Sequence, residues 1–228
     1  MVEEPSRGAL SPGAALVRDL ATTYARSRPV RSVAVLGNRP MHPDPDRARD
    51  VDAADLVVRV NGFRVDERDA PPQERAYGRR ADVVFFNRAL RATPWFFQDY
   101  SDRLYLLVEP GRLHWEPESV PAWWPADLGH VHVSNDDLTL PLSAELGLPT
   151  DREGLWATTG TMAAWWARTT FPDAQLLLTG YSIVDDPHQT RWAHASGDEC
   201  VVGAEHRIDA EAAMVLGWVR EGRASIRR

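Results

Sequence analysis

The stretch Ser32–Asn38, SVAVLGN, decides the fold. Its unbroken apolar run is the pattern of a strand buried on both faces, as strands of parallel sheets are. It ends on Gly-Asn, and in an α/β protein the carboxyl end of such a strand is where a ligand sits. No GxGxxG and no GxxxxGKS accompanies it, so neither dinucleotide nor P-loop chemistry explains the glycine. The open question is which ligand a bare Gly-Asn holds.

Reading outward from there, the sequence alternates strands with helices and loops. Gly13–Arg28 reads as an amphipathic helix, with Leu16, Leu20 and Tyr24 spaced by four and Pro29 closing it; residues 1–13 before it are expected to fray. Arg39–Ala54 reads as a polar loop or short helix, and Asp55–Phe63 (DLVVRVNGF) as a second strand. A loop over Glu67–Arg80 leads to a third strand, Ala81–Ala89 (ADVVFFNRA), and Arg103–Pro110 is a fourth. Residues 111–128, rich in Pro and Trp, form an irregular excursion. His130–Asp136 is a short fifth strand and Thr158–Pro172 a helix opened by threonines. Ala174–Ser182 is a sixth strand, Asp185–Gly203 a long polar loop, and Glu205–Gly222 a final helix. The expectation is a single α/β domain of Rossmann type spanning 1–228: a mostly parallel sheet with helices on both faces.

Composition narrows the function. The net charge of −7 argues against a general nucleic-acid binder. All 26 basic residues are arginine, which excludes a Schiff-base or P-loop lysine. The single Cys200 forms neither an internal disulfide nor a cysteine zinc site, and a reducing, cytoplasmic setting is the expectation. The polar, acidic start MVEEPSRGALSPGAA is not a signal peptide. No apolar run approaches ~18–20 residues, so no membrane span is expected.

If the strands run parallel, their carboxyl ends bring Gly37-Asn38, Asn61-Gly62, Asn87 and Gly180-Tyr181 to one edge. Three strands thus end at an asparagine. Amides both donate and accept, which suits a ribose, a pyrimidine edge or a sugar hydroxyl; the alternative is that these are ordinary turn residues. Thr158, Thr159 and Gly160 open a helix, where backbone N–H groups and the macrodipole can meet a phosphate, or where threonine simply caps. His206 and Glu211, five apart in HRIDAE, stand at the expected first turn of the last helix, where the dipole favours the neutral imidazole a general base needs. His188 and His194 in the polar loop could meet a phosphate. Asp44-Pro-Asp46 fits a DxD spacing but reads as a solvated turn. No HExxH or Cys/His cluster points to zinc.

Taken in order, these stretches resemble glycosyltransferase family 29, the sialyltransferases. The family's large motif, a strand ending in Val-Gly-Asn followed by an Asp-x-Val-x-Arg-x-Asn strand, is similar to AVLGN (Ala34–Asn38) and DLVVRVN (Asp55–Asn61), with GRRADVVFFN (Gly78–Asn87) after them. Its small motif is similar to TTGTMAA (Thr158–Ala164) and LLLTGYS (Leu176–Ser182). Its closing His-x4-Glu is similar to His206–Glu211. The order agrees across about residues 31 to 218.

The resemblance implies a GT-A-like variant of the Rossmann-like fold and a CMP-sugar donor contacted by Asn38 and Asn61; Gly37, Asn87, Gly180 and Tyr181, at the same strand edge, are further candidates for donor binding. It places Thr159, Gly160 and Thr161 at the CMP portion, His206 as catalytic base and Glu211 as its companion. It gives His194, ahead of His188, the donor phosphate, although neither has the His-Tyr-Tyr context of the family's third motif. No metal or other cofactor is implied, and the acceptor is a hydroxyl. The chain departs from the animal enzymes in having no second cysteine to join the two motifs and no anchor or stem, as a compact bacterial relative would. Trp115, Trp123 and Trp124 are candidates for an acceptor wall or lid, or pack a long loop onto the sheet. A hydrolase passing the CMP-sugar to water, and a non-catalytic cytidine-nucleotide module, are the competing readings.

Overall fold

The computed structural model describes residues 10–110, 120 and 123–228. In chain order the elements are α1 (Pro12–Tyr24), β1 (Ser32–Leu36), α2 (Pro45–Ala53), β2 (Leu56–Val60), β3 (Val83–Phe86), α3 (Pro94–Phe97), β4 (Leu104–Leu107) and β5 (Val131–His132). They continue with α4 (Thr139–Leu146), α5 (Thr150–Glu153), α6 (Thr159–Thr170), β6 (Gln175–Thr179), β7 (Arg191–Ala193), β8 (Glu199–Val201), α7 (Ile208–Arg220) and β9 (Ala224–Arg227). Seven strands form one sheet in the order β5-β4-β3-β2-β1-β6-β9, every pair parallel.

The apolar runs are continuous because both faces of this sheet are covered. Val33 and Val35 join Val58, Val60, Val83, Phe85, Leu104 and Leu106 under α1, α6 and α7, which contribute Val17, Met162, Trp166, Val215 and Trp218. The alternate residues face the other way. Ala34, Leu36 and Val57 meet Val51 of α2 and Ala54 just after it, while Val84, Phe86, Tyr105 and Leu107 meet Phe63, Phe96 and Trp124. Each large apolar side chain so buried contributes roughly 1.5–3 kcal/mol before entropy is charged against it.

One strand residue breaks the pattern. Arg59, in the middle of β2, is 1% exposed. Its Nε donates to the carbonyl of Arg80 at 3.0 Å, Nη1 to that of Arg64 at 3.4 Å, and Nη2 to those of Tyr77 and Gly78 at 2.7 and 3.3 Å. Asp66 reciprocates by accepting the backbone N–H groups of Ala76, Tyr77 and Gly78. The irregular segment before β3 is therefore hung on one arginine and one aspartate, which supplies the bonds that a segment without a sheet partner lacks.

Several local expectations are corrected. Helix α1 is already formed at Pro12, capped by Ser11, whose Oγ accepts from the Ala14 N–H at 3.0 Å; it ends at Tyr24, ahead of Pro29. Asp44 and Asp46 do not make a solvated turn: Asp44 is the N-cap of α2, accepting from the Arg47 N–H at 3.0 Å, and Asp46 lies in its first turn. The polar loop after β6 folds into an antiparallel hairpin, with Trp192 opposite Cys200. The last helix begins at Ile208, so His206 precedes it. Strand β9 and helix α4 were not anticipated.

The chain runs outward from β1 to β5, then returns to the other side of β1 with β6 and continues outward to β9. Connections leave β1 and β6 in opposite directions, and a crevice opens beyond their carboxyl ends.

Candidate functional site

At that crevice lies a cleft of about 450 Å³. Its walls are the ends of β1, β2, β3 and β6, the start of α6, the β7–β8 hairpin and the turn before α7. The floor is set by two glycines. A Cβ on Gly37 would overlap the carbonyl oxygen of Gly180, and one on Gly180, whose φ is +73°, would lie 2.7 Å from the carbonyl oxygen of Gly37. The two backbones are tied by Gly37 N–H to Thr179 O at 2.9 Å and Arg39 N–H to Gly180 O at 3.2 Å. Glycine is needed here for close approach of two chains and, at Gly180, for a left-handed conformation.

The three asparagines divide in role. Asn87 has both ends of its amide engaged: Nδ2 donates to Thr159 Oγ1 at 3.1 Å and Oδ1 accepts from the Ala89 N–H at 3.0 Å. Asn61, in the left-handed region at φ +45°, accepts the Asn87 N–H on Oδ1 at 3.3 Å. Asn38 is different. Its backbone carbonyl holds the hairpin through the Ala195 N–H at 2.7 Å, while its side-chain Oδ1 is buried with no hydrogen-bond partner among the described residues. A buried acceptor without a donor costs about 1–3 kcal/mol, and the cleft is the place from which a donor can come.

Helix α6 opens with Thr158 as N-cap, its Oγ1 accepting from the Thr161 N–H at 3.3 Å. Thr158 is also the anchor for Glu211: its N–H and Oγ1 donate to that carboxylate at 3.1 and 2.7 Å. Glu211 is fully buried. Burial pushes its carboxyl up, opposed by the hydrogen bonds from Thr158 and Thr161 and by His206. It lies behind the cleft wall, locking the start of α7 to the start of α6. Thr161 is likewise buried behind the wall. Tyr181 donates its hydroxyl to Gly160 O at 2.8 Å, and burial, with Glu211 adding to it, drives its ionisation well above the ordinary range. It is a neutral strut between β6 and α6 rather than a reactive phenol.

His206 sits in a turn closed by its N–H to Gly203 O at 3.2 Å. Its Nδ1 lies 3.0 Å from the carbonyl oxygen of Trp156, and the Trp156 N–H donates back to Glu205 O at 3.1 Å. A carbonyl can only accept, so Nδ1 carries the proton and Nε2 of the neutral ring is a lone pair. That nitrogen lies 3.5 Å from Glu205 Oε1, and both residues line the cleft.

Of the two loop histidines the hairpin brings only His194 to the cleft. Burial lowers its pKa, Asp198 opposing and Arg91 assisting, so the ring is held neutral. His188 is exposed, its N–H on Asp186 Oδ1 at 3.1 Å, outside the cleft. Trp123 and Trp124, read either as an acceptor wall or as packing for a long loop, do not line this cleft. Trp124 stacks on Phe86 at 4.7 Å and donates Nε1 to Leu128 O at 2.8 Å. Trp123 meets the edge of Phe97 at 5.9 Å. Both belong to the aromatic layer over β3 and β4, and Trp115 lies outside the described residues.

Sequence reading did not single out Arg39, Arg91, Trp192, Val201 and Glu205, which all line the cleft. Trp192 and Val201 ride on the hairpin, and Arg91 pairs with its Asp198. The signal was present in RWAHASGDECVV, two short apolar pieces flanking a Gly-Asp turn. Among the described residues no three His, Cys, Asp or Glu side chains converge as a metal site requires, and no helix is long and apolar enough to cross a membrane.

No protein-family model matches the chain, and no curated protein does. Solved structures do. A crystal structure of a mammalian sialyltransferase in complex with Gal-beta-1-3GalNAc-ortho-nitrophenol aligns with a TM-score of 0.50 at 17% identity, over 96% of this chain and 74% of that one. A second mammalian sialyltransferase structure aligns with a TM-score of 0.50 at 15% identity, over 97% and 81%. The fold is that of the sialyltransferases. At such identity the likeness speaks for the fold, and the chemistry rests on the cleft.

Proposed function

We propose that this chain is a glycosyltransferase of sialyltransferase type, moving a sugar from a CMP-sugar to an acceptor hydroxyl by inverting displacement without a metal. The observation that carries the reading is the tautomer of His206. Its Nδ1 proton is committed to the Trp156 carbonyl, which leaves Nε2 as a base at the cleft. As the acceptor oxygen bonds to the anomeric carbon, its proton passes to Nε2. The bond from that carbon to the phosphate oxygen breaks, and its electron pair leaves with CMP. The unpartnered Asn38 Oδ1 suits a donor group of the nucleotide, and the first N–H groups of α6 suit the phosphate. His194 and Arg39 stand at the same cleft. Glu211 acts through Thr158, fixing the two helix starts between which the base is held.

The test is calorimetric titration with CMP, UMP and ADP in EDTA. CMP-selective binding supports the donor assignment; no CMP binding, or binding only of a diphosphate with added metal, overturns it. Product analysis with and without acceptor then separates transfer from hydrolysis, and a protein that binds CMP yet turns nothing over is a binding module.

A further inference from the structure

The turn that carries His206 also carries a carboxylate with no part in the scheme above. Glu205 Oε1 lies 3.5 Å from His206 Nε2, beyond a good hydrogen bond. In the Nδ1–H tautomer of the neutral ring, Nε2 is an acceptor as the carboxylate is, and the two do not bond to each other. The pair is held by construction. The Gly203–His206 turn and the two hydrogen bonds to Trp156 fix the backbone. Gly203 leaves the space the carboxylate occupies, because a Cβ there would overlap both Glu205 oxygens. The other carboxylate near the base, Glu211, is bound by Thr158 and does not line the cleft. Arg207, next in the chain, turns its guanidinium to the carbonyls of Ala204 and His206. Among the described residues that line the cleft, which also include Asp198 and Glu199, Glu205 is the carboxylate set beside the base.

Two adjacent acceptors at the cleft suit a ligand that brings two donors side by side. A lone alcohol brings one; a vicinal diol of a sugar ring brings two. We infer that Glu205 reads the acceptor substrate. The hydroxyl that reacts donates to His206 Nε2, its vicinal neighbour donates to the Glu205 carboxylate, and the acceptor class is a glycan or polyol presenting a vicinal diol. The inference rests on the transferase reading. Because the carboxylate binds only the second hydroxyl, it is a specificity-determining residue, separable from the base.

The experiment uses the disaccharide glycoside Gal-beta-1-3GalNAc-ortho-nitrophenol and analogues in which one galactose hydroxyl at a time is replaced by hydrogen. Each is measured for kcat/KM with a CMP-sugar and, independently of turnover, for binding in the presence of CMP by ligand-observed NMR. A hydrogen bond to a charged group predicts that wild type disfavours at least one analogue that retains the reacting hydroxyl by about 10- to 100-fold. Glu205→Ala is expected to erase that preference by raising KM for the parent glycoside, and Glu205→Gln to retain part of it. If Glu205→Ala lowers kcat equally for every acceptor, the residue positions His206 and the inference is wrong. It is equally wrong if the preference survives the substitution, or if the parent binds no better than its analogues. Loss of CMP binding and of all turnover in wild type would instead overturn the transferase reading, and the NMR arm would still decide whether a diol is recognised.

Discussion

Arg59, buried in the middle of β2, and His206, half-buried in the turn before α7, are polar side chains built to opposite ends. Every nitrogen of the Arg59 guanidinium is spent on a backbone carbonyl of the segment it supports. Burial brings its pKa down to about 10, with Asp52 and Asp66 opposing, so it remains charged and fully engaged at neutral pH. His206 has one ring nitrogen spent and the other left at the mouth of a cleft. The same contrast separates Asn87, satisfied at both ends, from Asn38, whose Oδ1 has no donor among the described residues. A polar group whose valences are all met internally holds the fold; one left unmet at a concave surface awaits a ligand.

The largest expected effect tests the unmet side. Removing the imidazole in His206→Ala should lower turnover by roughly 10²–10⁴-fold, while CMP affinity measured by calorimetry stays within a few-fold. A variant that keeps full turnover would show that the base lies elsewhere in the cleft.

Next comes the satisfied side. Arg59→Leu strands the carbonyls of Arg80, Tyr77 and Gly78 in a dry interior and should cost about 3 kcal/mol or more of stability, read as a drop in the urea midpoint. Asn38→Ala is the counter-experiment. It removes an acceptor that has no partner among the described residues, so stability should hold within about 1 kcal/mol while CMP affinity falls by about tenfold. If Asn38→Ala unfolds the protein and Arg59→Leu does not, the division between scaffold and site is drawn in the wrong place.

The same division explains what could be read in the sequence. Strands β1 to β4 and β6 were legible because both faces are buried, and short apolar runs such as Val33–Leu36, bounded by turn residues, read as buried strands. The glycines and asparagines at their ends were legible as positions but not as roles. Nothing local in AVLGN says that Gly37 exists to let Gly180 pass, or that Asn38 alone keeps a free oxygen; both depend on a strand 140 or so residues away in the chain. The hairpin was lost because β7 and β8 have three residues each and mostly exposed side chains, too little burial to impose a period. For the tryptophans at 123 and 124 the sequence left two readings open, an acceptor wall or packing of a long loop, because residue type alone does not choose between them; the ring contacts with Phe86 and Phe97 give them a packing role.

That aromatic layer offers the smallest effect and a third kind of polar group, one that is tolerated only while neutral. His132, at the end of β5, packs 5.4 Å from His130. Burial first, then the charges of His130 and Arg88, lowers its pKa from 6.5 to about 4. A depressed histidine means that the unfolded chain binds the proton more readily than the fold does. Its contribution is therefore complete above about pH 6.5 and is lost as pH falls toward 4. Because the ring is only partly buried, the loss should amount to on the order of 1 kcal/mol between pH 7.5 and pH 5. His132→Gln should flatten that part of the profile in urea titrations at the two pH values, leaving the remaining slope to His130 and His194, which burial also lowers. An unchanged slope would mean that the proton reaches His132 without disturbing the layer. The aromatic face would then be open to water and could not serve, as Arg59 and its carbonyls do, as the dry support of the sheet edge that carries the cleft.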